Sequence, residues 1–199
     1  MALLTALADL GGAWSLEEVT GALTDYADAA CGAALRAGLA AQIKRGKLPG
    51  MTMDDLADCA GMVVFAMGKM GAHELNYSSD IDPIFIYDPM TLPCRPREDA
   101  ADAAQRIARQ LIDTMSQRDG NGYVFRMDLR LRPAAEVTPL AIPVDAALSH
   151  YESQALTWEQ AAFIRSRAAA GDRVLGDYFM EALRPFIWRR SLDFGTIDE

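Results

Sequence analysis

The chain has 199 residues, 51% of them hydrophobic, and carries a formal charge of −9 with a pI near 4.7. The apolar fraction can fill the core of a substantial globular domain, while the acidic balance argues against a general nucleic-acid binder, which needs Lys and Arg clustered against phosphates. No apolar run reaches the roughly 20 residues that span a bilayer and no basic segment leads into a signal-peptide core, so a cytoplasmic protein without membrane association is expected.

The first third reads as helical. Ser15-Leu16-Glu17-Glu18 offers an N-cap hydroxyl with a carboxylate three residues on, and Leu16, Val19, Leu23 and Tyr26 follow at helical spacing. A second helix is expected over the Ala- and Leu-rich stretch from Ala29 to Lys44, ended by the Gly- and Pro-containing run KRGKLPG. Met62 to Met67 is short, β-branched and bounded by glycines, so it predicts a buried strand, and Ile81 to Tyr87 predicts another. Pro83 belongs at an edge, a bulge or a strand's first residues because it cannot donate to a ladder. From Asp99 to Arg118, Ala104, Ile107, Leu111 and Met115 line one helical face, and Asp119 to Gly122 reads as a turn.

Tyr123 to Arg132 predicts a third strand with Val124, Arg126, Asp128, Arg130 and Arg132 on one face. Beyond Pro143 helix is expected to the end: Asp145 caps one helix, Thr157 to Gln160 resembles a capping box for another, and Ala170 to Asp172 separates a third. This gives three units: a helical N-terminal segment (1–50), a catalytic core (51–142) and a helical C-terminal extension (143–199). Cys31, Cys59 and Cys94 are odd in number and widely spaced, which predicts free thiols rather than disulfides or a zinc site.

The chemistry concentrates in the middle unit. A glycine turn, Gly68-Lys69-Met70-Gly71, follows the first strand; Asp80 and Asp82 sit two apart at the start of the second; Asp128 lies on the third. Residues two apart on a strand point the same way, and two divalent cations about 3.5–4 Å apart require several carboxylates, so Asp80, Asp82 and Asp128 read as the ligand set of a two-metal phosphoryl-transfer site. Glycines at 68 and 71 let backbone N–H groups approach a phosphate, with Lys69 in the same turn. Arg130 and Arg132, on the face of Asp128, are candidates for gripping phosphate oxygens. His73 and His150 are assigned to surface or packing, since these metals prefer oxygen ligands, and Tyr151, Trp158, Phe163 and Trp188 to helix packing.

The segments AMGKMGAHELNYSSDIDPIFIYD, GYVFRMDLRLRP and YESQALTWEQAAFIRSRAAAGD resemble the bifunctional bacterial enzymes that adenylylate and deadenylylate glutamine synthetase, within the nucleotidyltransferase superfamily. The resemblance runs from about Ala66 to Phe194, and the first segment is specific to that family. It implies an α+β fold, a nucleotidyltransferase-like mixed sheet with flanking helices and helical extensions at both ends. It also implies an enzyme with Asp80, Asp82 and Asp128 as catalytic metal ligands for two Mg²⁺ or Mn²⁺ ions, and Gly68, Lys69 and Ser79 at the phosphate or nucleotide. LRPFIWRRSLDF and the YESQ…WEQAAFIRSR helix are more similar to the N-terminal, adenylyl-removing half. The activity implied is then phosphorolysis of adenylyl-tyrosine, with orthophosphate consumed and ADP released. Adenylyl transfer from ATP, or a non-catalytic docking fragment, are the alternatives. Implied partners are glutamine synthetase, a PII-type signalling protein, ATP or ADP, and orthophosphate. Ala72, Pro83, Ala155, Gln160 and Ala168 depart from the family's usual residues; Gln160 removes a charge from a helix expected to face substrate.

Overall fold

The computed structural model describes residues 2–57, 59, 61–94, 99–120 and 122–188. Helix α1 spans Ala2–Leu10 and α2 spans Leu16–Lys44. The two helices expected between Leu16 and Lys44 are one, because no proline interrupts the stretch and Gly32 and Gly38 stand against neighbouring groups. A methyl at Gly38 would lie 3.3 Å from Ile107, so the missing side chain lets a neighbouring helix approach closely. The expected start is present: Ser15 Oγ accepts from Glu18 N while Glu18 Oε2 accepts from Ser15 N at 2.7 Å.

Strand β1 is Met62–Ala66 and is followed by a one-turn helix α3, Gly68–Gly71; β2 is Pro83–Tyr87, α4 is Ala100–Ser116, and β3 is Ala141–Pro143. Then come α5 (Val144–Ser153), α6 (Thr157–Phe163), β4 (Arg167–Gly171) and α7 (Arg173–Ile187). The sheet order is β3-β2-β1-β4, with β1 antiparallel to β2 and β4, and β2 parallel to β3. It is a mixed sheet flanked by helices, the α+β architecture expected. Pro83 opens β2, where its missing N–H removes least from the ladder.

Both faces of the sheet are covered, which is why MVVFA and PIFIY are continuously apolar rather than alternating. Met62, Val64, Ala66, Phe85 and Tyr87 pack with α2 and α4, burying Leu35, Leu39, Ile107 and Leu111. Val63, Phe65, Ile84 and Ile86 pack on the other side with Tyr151, Phe163, Phe179 and Leu183. Trp158 and Trp188, expected in helix packing, are instead largely exposed, while Tyr151 and Phe163 are buried.

Three further expectations are corrected. The stretch beyond Pro143 is not helical throughout: Arg167–Gly171 is β4, hydrogen-bonded to β1, and its Ala-rich text gave no strand alternation. Asp172 then caps α7, accepting from Leu175 N at 3.0 Å, whereas Asp145 lies inside the first turn of α5 rather than at its cap. The segment Tyr123–Arg132 is not a strand either. Met127 alone bridges Ile81, and two residues later the chain turns, because the Asp128 carboxylate accepts Arg130 N at 3.0 Å and closes a local ring. Among the described residues no helix is long and apolar enough to cross a membrane, and no disulfide forms.

Candidate active site

Three short segments converge at the end of β1. Asp80 and Asp82 flank Ile81, a fully buried side chain that pins the approach to β2. Ile81 N donates to Arg126 O at 3.0 Å and Asp128 N donates to Ile81 O at 2.9 Å, so the bridge sets Asp128 beside the Asp80-Ile81-Asp82 pair. Met67 N donates to Asp82 O at 3.0 Å, tying the start of the glycine turn to the same place. The three aspartates are thus brought together by backbone bonds, although the third strand expected to deliver Asp128 does not form.

Gly68 has φ of +54°, and a methyl there would sit 2.9 Å from Asp82 Oδ2. Glycine therefore meets two demands at this position, a left-handed backbone and a carboxylate in direct contact. A methyl at Gly71 would stand 1.9 Å from Arg165 O and 2.7 Å from Ala66 O, so the turn is wedged between β1 and the strap leading into β4. Lys69 is exposed, and its charge acts on Asp82. Ser79 is turned into its own loop, donating to Asn76 Oδ1 at 2.7 Å and accepting from Asn76 N at 3.3 Å.

The carboxylates differ electrostatically. Asp82 is half-buried, and burial, with Asp128 and then Asp80 nearby, pushes it up to about 6 against the pull of Arg130 and Lys69. The hydrogen bonds from Arg130 hold Asp128 below the usual carboxylate range, outweighing its partial burial. Arg130 Nε donates to Asp128 Oδ1 and Oδ2 at 2.9 and 2.8 Å, and Nη2 also reaches Oδ2. Asp80 accepts from Arg126 Nε at 2.5 Å, while Arg126 Nη2 donates to Ser78 O at 2.8 Å and its guanidinium lies 5.9 Å from the Tyr123 ring.

The two arginines expected to share a face diverge. Arg130 stays at the site, with its side chain 87% exposed beyond Asp128. Arg132 turns into its own loop, donating to Leu129 O at 2.7 Å and Ala135 O at 2.5 Å. Strand parity failed here because the turn at Asp128 resets the side-chain direction. Arg126, which sequence reasoning left out of the site, is the partner of Asp80. His73 is exposed, and His150 lies 2.9 Å from the buried Glu159. Gln160 donates to Phe186 O and Ile187 O at 2.8 and 3.2 Å, so this departure from the family pattern ties α6 to the end of α7.

By residue type, three carboxylates without sulfur or imidazole are the donors a hard divalent cation prefers, and Asp82 is raised first by burial and then by Asp128 and Asp80. Among the described residues, no group of three or more His, Cys, Asp or Glu side chains stands placed to hold a metal ion as the side chains are arranged, and Arg126 and Arg130 engage Asp80 and Asp128.

Comparison with known proteins gives a consistent result. The family model for glutamate-ammonia ligase adenylyltransferase matches residues 1–182. The bifunctional glutamine synthetase adenylyltransferase/adenylyl-removing enzyme of Caulobacter vibrioides is 50% identical over 195 residues, covering 98% of this chain and 20% of the relative. The proteins of the same description from Xanthobacter autotrophicus and Rhizobium meliloti are 47% and 46% identical, over 98% and 99% of this chain and 20% of each relative. The chain therefore spans about a fifth of the length of the curated relatives it matches.

Proposed function

The chain belongs to the glutamate-ammonia ligase adenylyltransferase family, and from that premise we propose that it carries the phosphorolytic site that removes AMP from adenylylated glutamine synthetase. The observation that carries this reading is the single Ile81–Met127 bridge that gathers Asp80, Asp82 and Asp128 beside Gly68. In the reaction an oxygen of orthophosphate attacks the α-phosphorus of adenylyl-tyrosine, the bond to the tyrosyl oxygen breaks, ADP forms, and the phenolate takes up a proton. The phenol's ordinary pKa of about 10 makes it a workable leaving group once its developing charge is stabilised.

Asp80, Asp82 and Asp128 are the residues that would hold Mg²⁺ or Mn²⁺, two ions in the reading adopted here. Bound there, divalent cations would supply charge neutralisation for the two phosphate groups and for the departing oxygen. The other residues act on position. Gly68 brings backbone close to Asp82 and, with Lys69, faces the nucleotide phosphates. Arg130 passes from Asp128 to the incoming phosphate, as its exposed guanidinium allows. Ser79 shapes the loop before Asp80. The bonds of Arg132 to its own loop suit it to bracing that loop. Glutamine synthetase is the protein substrate, and a PII-type protein is the expected signalling partner.

The test is incubation of the purified chain with adenylylated glutamine synthetase, Mg²⁺ and orthophosphate. ADP release that requires phosphate and disappears with Asp82→Asn supports the reading. Release of pyrophosphate from ATP with unmodified synthetase would replace it by the forward transfer, and no turnover of either pair would leave a docking fragment.

A further inference from the structure

The α3 turn is four residues long and cannot hold its own position, since a single helical turn costs more backbone entropy than its hydrogen bonds return. Its position is therefore decided by what grips it. Arg167, the first residue of β4, pairs with Ala66 in the ladder and sends its side chain toward the turn. Its Nη1 donates to Asp28 Oδ2 at 2.6 Å, and its Nη2 donates both to Asp28 Oδ1 at 3.1 Å and to Met70 O at 3.0 Å. That carbonyl also accepts from His73 N at 3.3 Å.

Asp28 lies on α2 between the buried Ala27 and Cys31, so the fork is anchored in the packed face of a long helix. Both partners are largely shielded, their side chains 25% and 20% exposed. The same strap touches the turn once more, the Arg165 carbonyl filling the space a methyl at Gly71 would need, and just past the turn Arg165 Nη1 donates to Glu74 at 3.0 Å.

We propose that Arg167 is a positioning residue of the site: clamped by Asp28 and bonded to the Met70 carbonyl, it sets where the Gly68–Gly71 turn stands beside Asp82. The inference rests on the functional reading above, in which that turn receives the nucleotide phosphates. A planar guanidinium can serve a carboxylate and a carbonyl at once in fixed directions; an ammonium keeps the charge but not the fork. The three aspartates are held by other bonds, at Ile81 and Met67, so loss of the clamp should loosen nucleotide binding and spare cation binding.

The experiment uses the whole chain with Arg167→Lys and Asp28→Asn, and with Leu183→Val as a destabilised control in the opposite cluster. Hydrogen exchange of residues 67–74 is measured alongside the Kd of Mn²⁺ alone and of ADP with Mn²⁺. Arg167→Lys is expected to speed exchange of that segment and raise the Kd of ADP about tenfold, with Asp28→Asn at about threefold and the Kd of Mn²⁺ within about twofold. Leu183→Val should lower the melting temperature without changing either Kd. Arg165→Ala, which keeps the backbone wedge and loses only an exposed ion pair, should bind ADP like the parent chain. Unchanged exchange in Arg167→Lys overturns the clamp. Faster exchange with parent-like ADP binding overturns the positioning role. A parent chain that binds Mn²⁺ but no ADP overturns the functional reading and the positioning role with it, whereas ADP binding lost equally in Leu183→Val reduces Arg167 to a contributor to stability.

Discussion

Asp82 and Asp128 reach one site by opposite means. Asp82 is delivered by the sheet: it precedes β2, its carbonyl is bonded to Met67, and its carboxylate presses on Gly68 in a half-buried setting that pushes its pKa up to about 6. Asp128 is delivered by a loop that touches the sheet at one bridge, and its carboxylate is satisfied by an exposed arginine that holds its pKa low. One acid is held rigidly and is uncomfortable when charged; the other is comfortable and held by groups that can let go. In the proposed reaction, the crowded carboxylate on the rigid side would gain from a cation, and the exposed arginine on the loop side would be free to meet a phosphate.

The largest separation should appear in activity. Asp82→Asn and Asp128→Asn are each expected to lower phosphate-dependent ADP release by about 10²–10³-fold, the usual cost of removing one element of transition-state charge stabilisation. Equal losses would show that both acids serve the reaction despite their different supports. A near-normal rate in Asp128→Asn would restrict the chemistry to the sheet-borne pair.

The next effect is on the rigid side alone. Gly71→Ala places a carbon against two carbonyl oxygens, at 1.9 and 2.7 Å, and should cost about 3 kcal/mol in chemical denaturation, the upper range for overpacking. Gly120→Ala, in the open turn before the loop where a methyl meets nothing within 4 Å, should change stability by less than about 1 kcal/mol. A small loss at Gly71 would mean that the strap before β4 yields.

A smaller effect carries the opposite sign. Folded Asp82 keeps its proton to about pH 6, whereas the unfolded chain releases it near pH 3.9. Between those values the folded state binds more protons, so stability falls as pH rises through the window and the loss is complete above it. Asp82→Asn should therefore stabilise the metal-free chain at pH 7.5 by about 1 kcal/mol after allowance for solvent screening, and leave it unchanged at pH 3.5. An inactive variant more stable than its parent is the expected signature of a residue kept for function. Asp128 has the reverse linkage: its contribution is present above the ordinary carboxylate pKa and lost as pH falls through its lowered value.

The smallest effect on stability belongs to Arg130→Ala. Its exposed pairing should leave the melting temperature unchanged, because surface ion pairs contribute little. The apparent KM for orthophosphate should nevertheless rise about tenfold if the guanidinium passes to the incoming anion. An unchanged KM would make Arg130 only a counter-ion for Asp128.

Much of this was legible in the residues. The buried runs MVVFA and PIFIY, the amphipathic face of α4 and the Ser15 cap are local patterns, and each formed where expected because local periodicity and burial agree, whereas the strand expected from Ile81 begins at Pro83, so Asp80 and Asp82 lie just before it. The misreadings were places where local and tertiary signals part. The alternation in Tyr123–Arg132 looks like a strand until Asp128 bonds the backbone of Arg130, and Arg167-Ala-Ala-Ala-Gly has no strand pattern until β1 offers it a ladder. The partner of Asp80, Arg126, lies 46 residues away, beyond any periodicity.

The sequence by itself determined the kinds of group present: a glycine turn, two acids in phase, a third acid amid arginines, and apolar runs to carry them. Such information is local, since it is written in neighbours a few bonds apart. Only the tertiary structure decided which charge meets which, that Asp82 would be crowded and Asp128 satisfied, and that Asp28 and Arg167, 139 residues apart, would close on the turn between them. Those outcomes depend on distance and burial in three dimensions, because the strength of a charge interaction is set by separation and surroundings rather than by order along the chain.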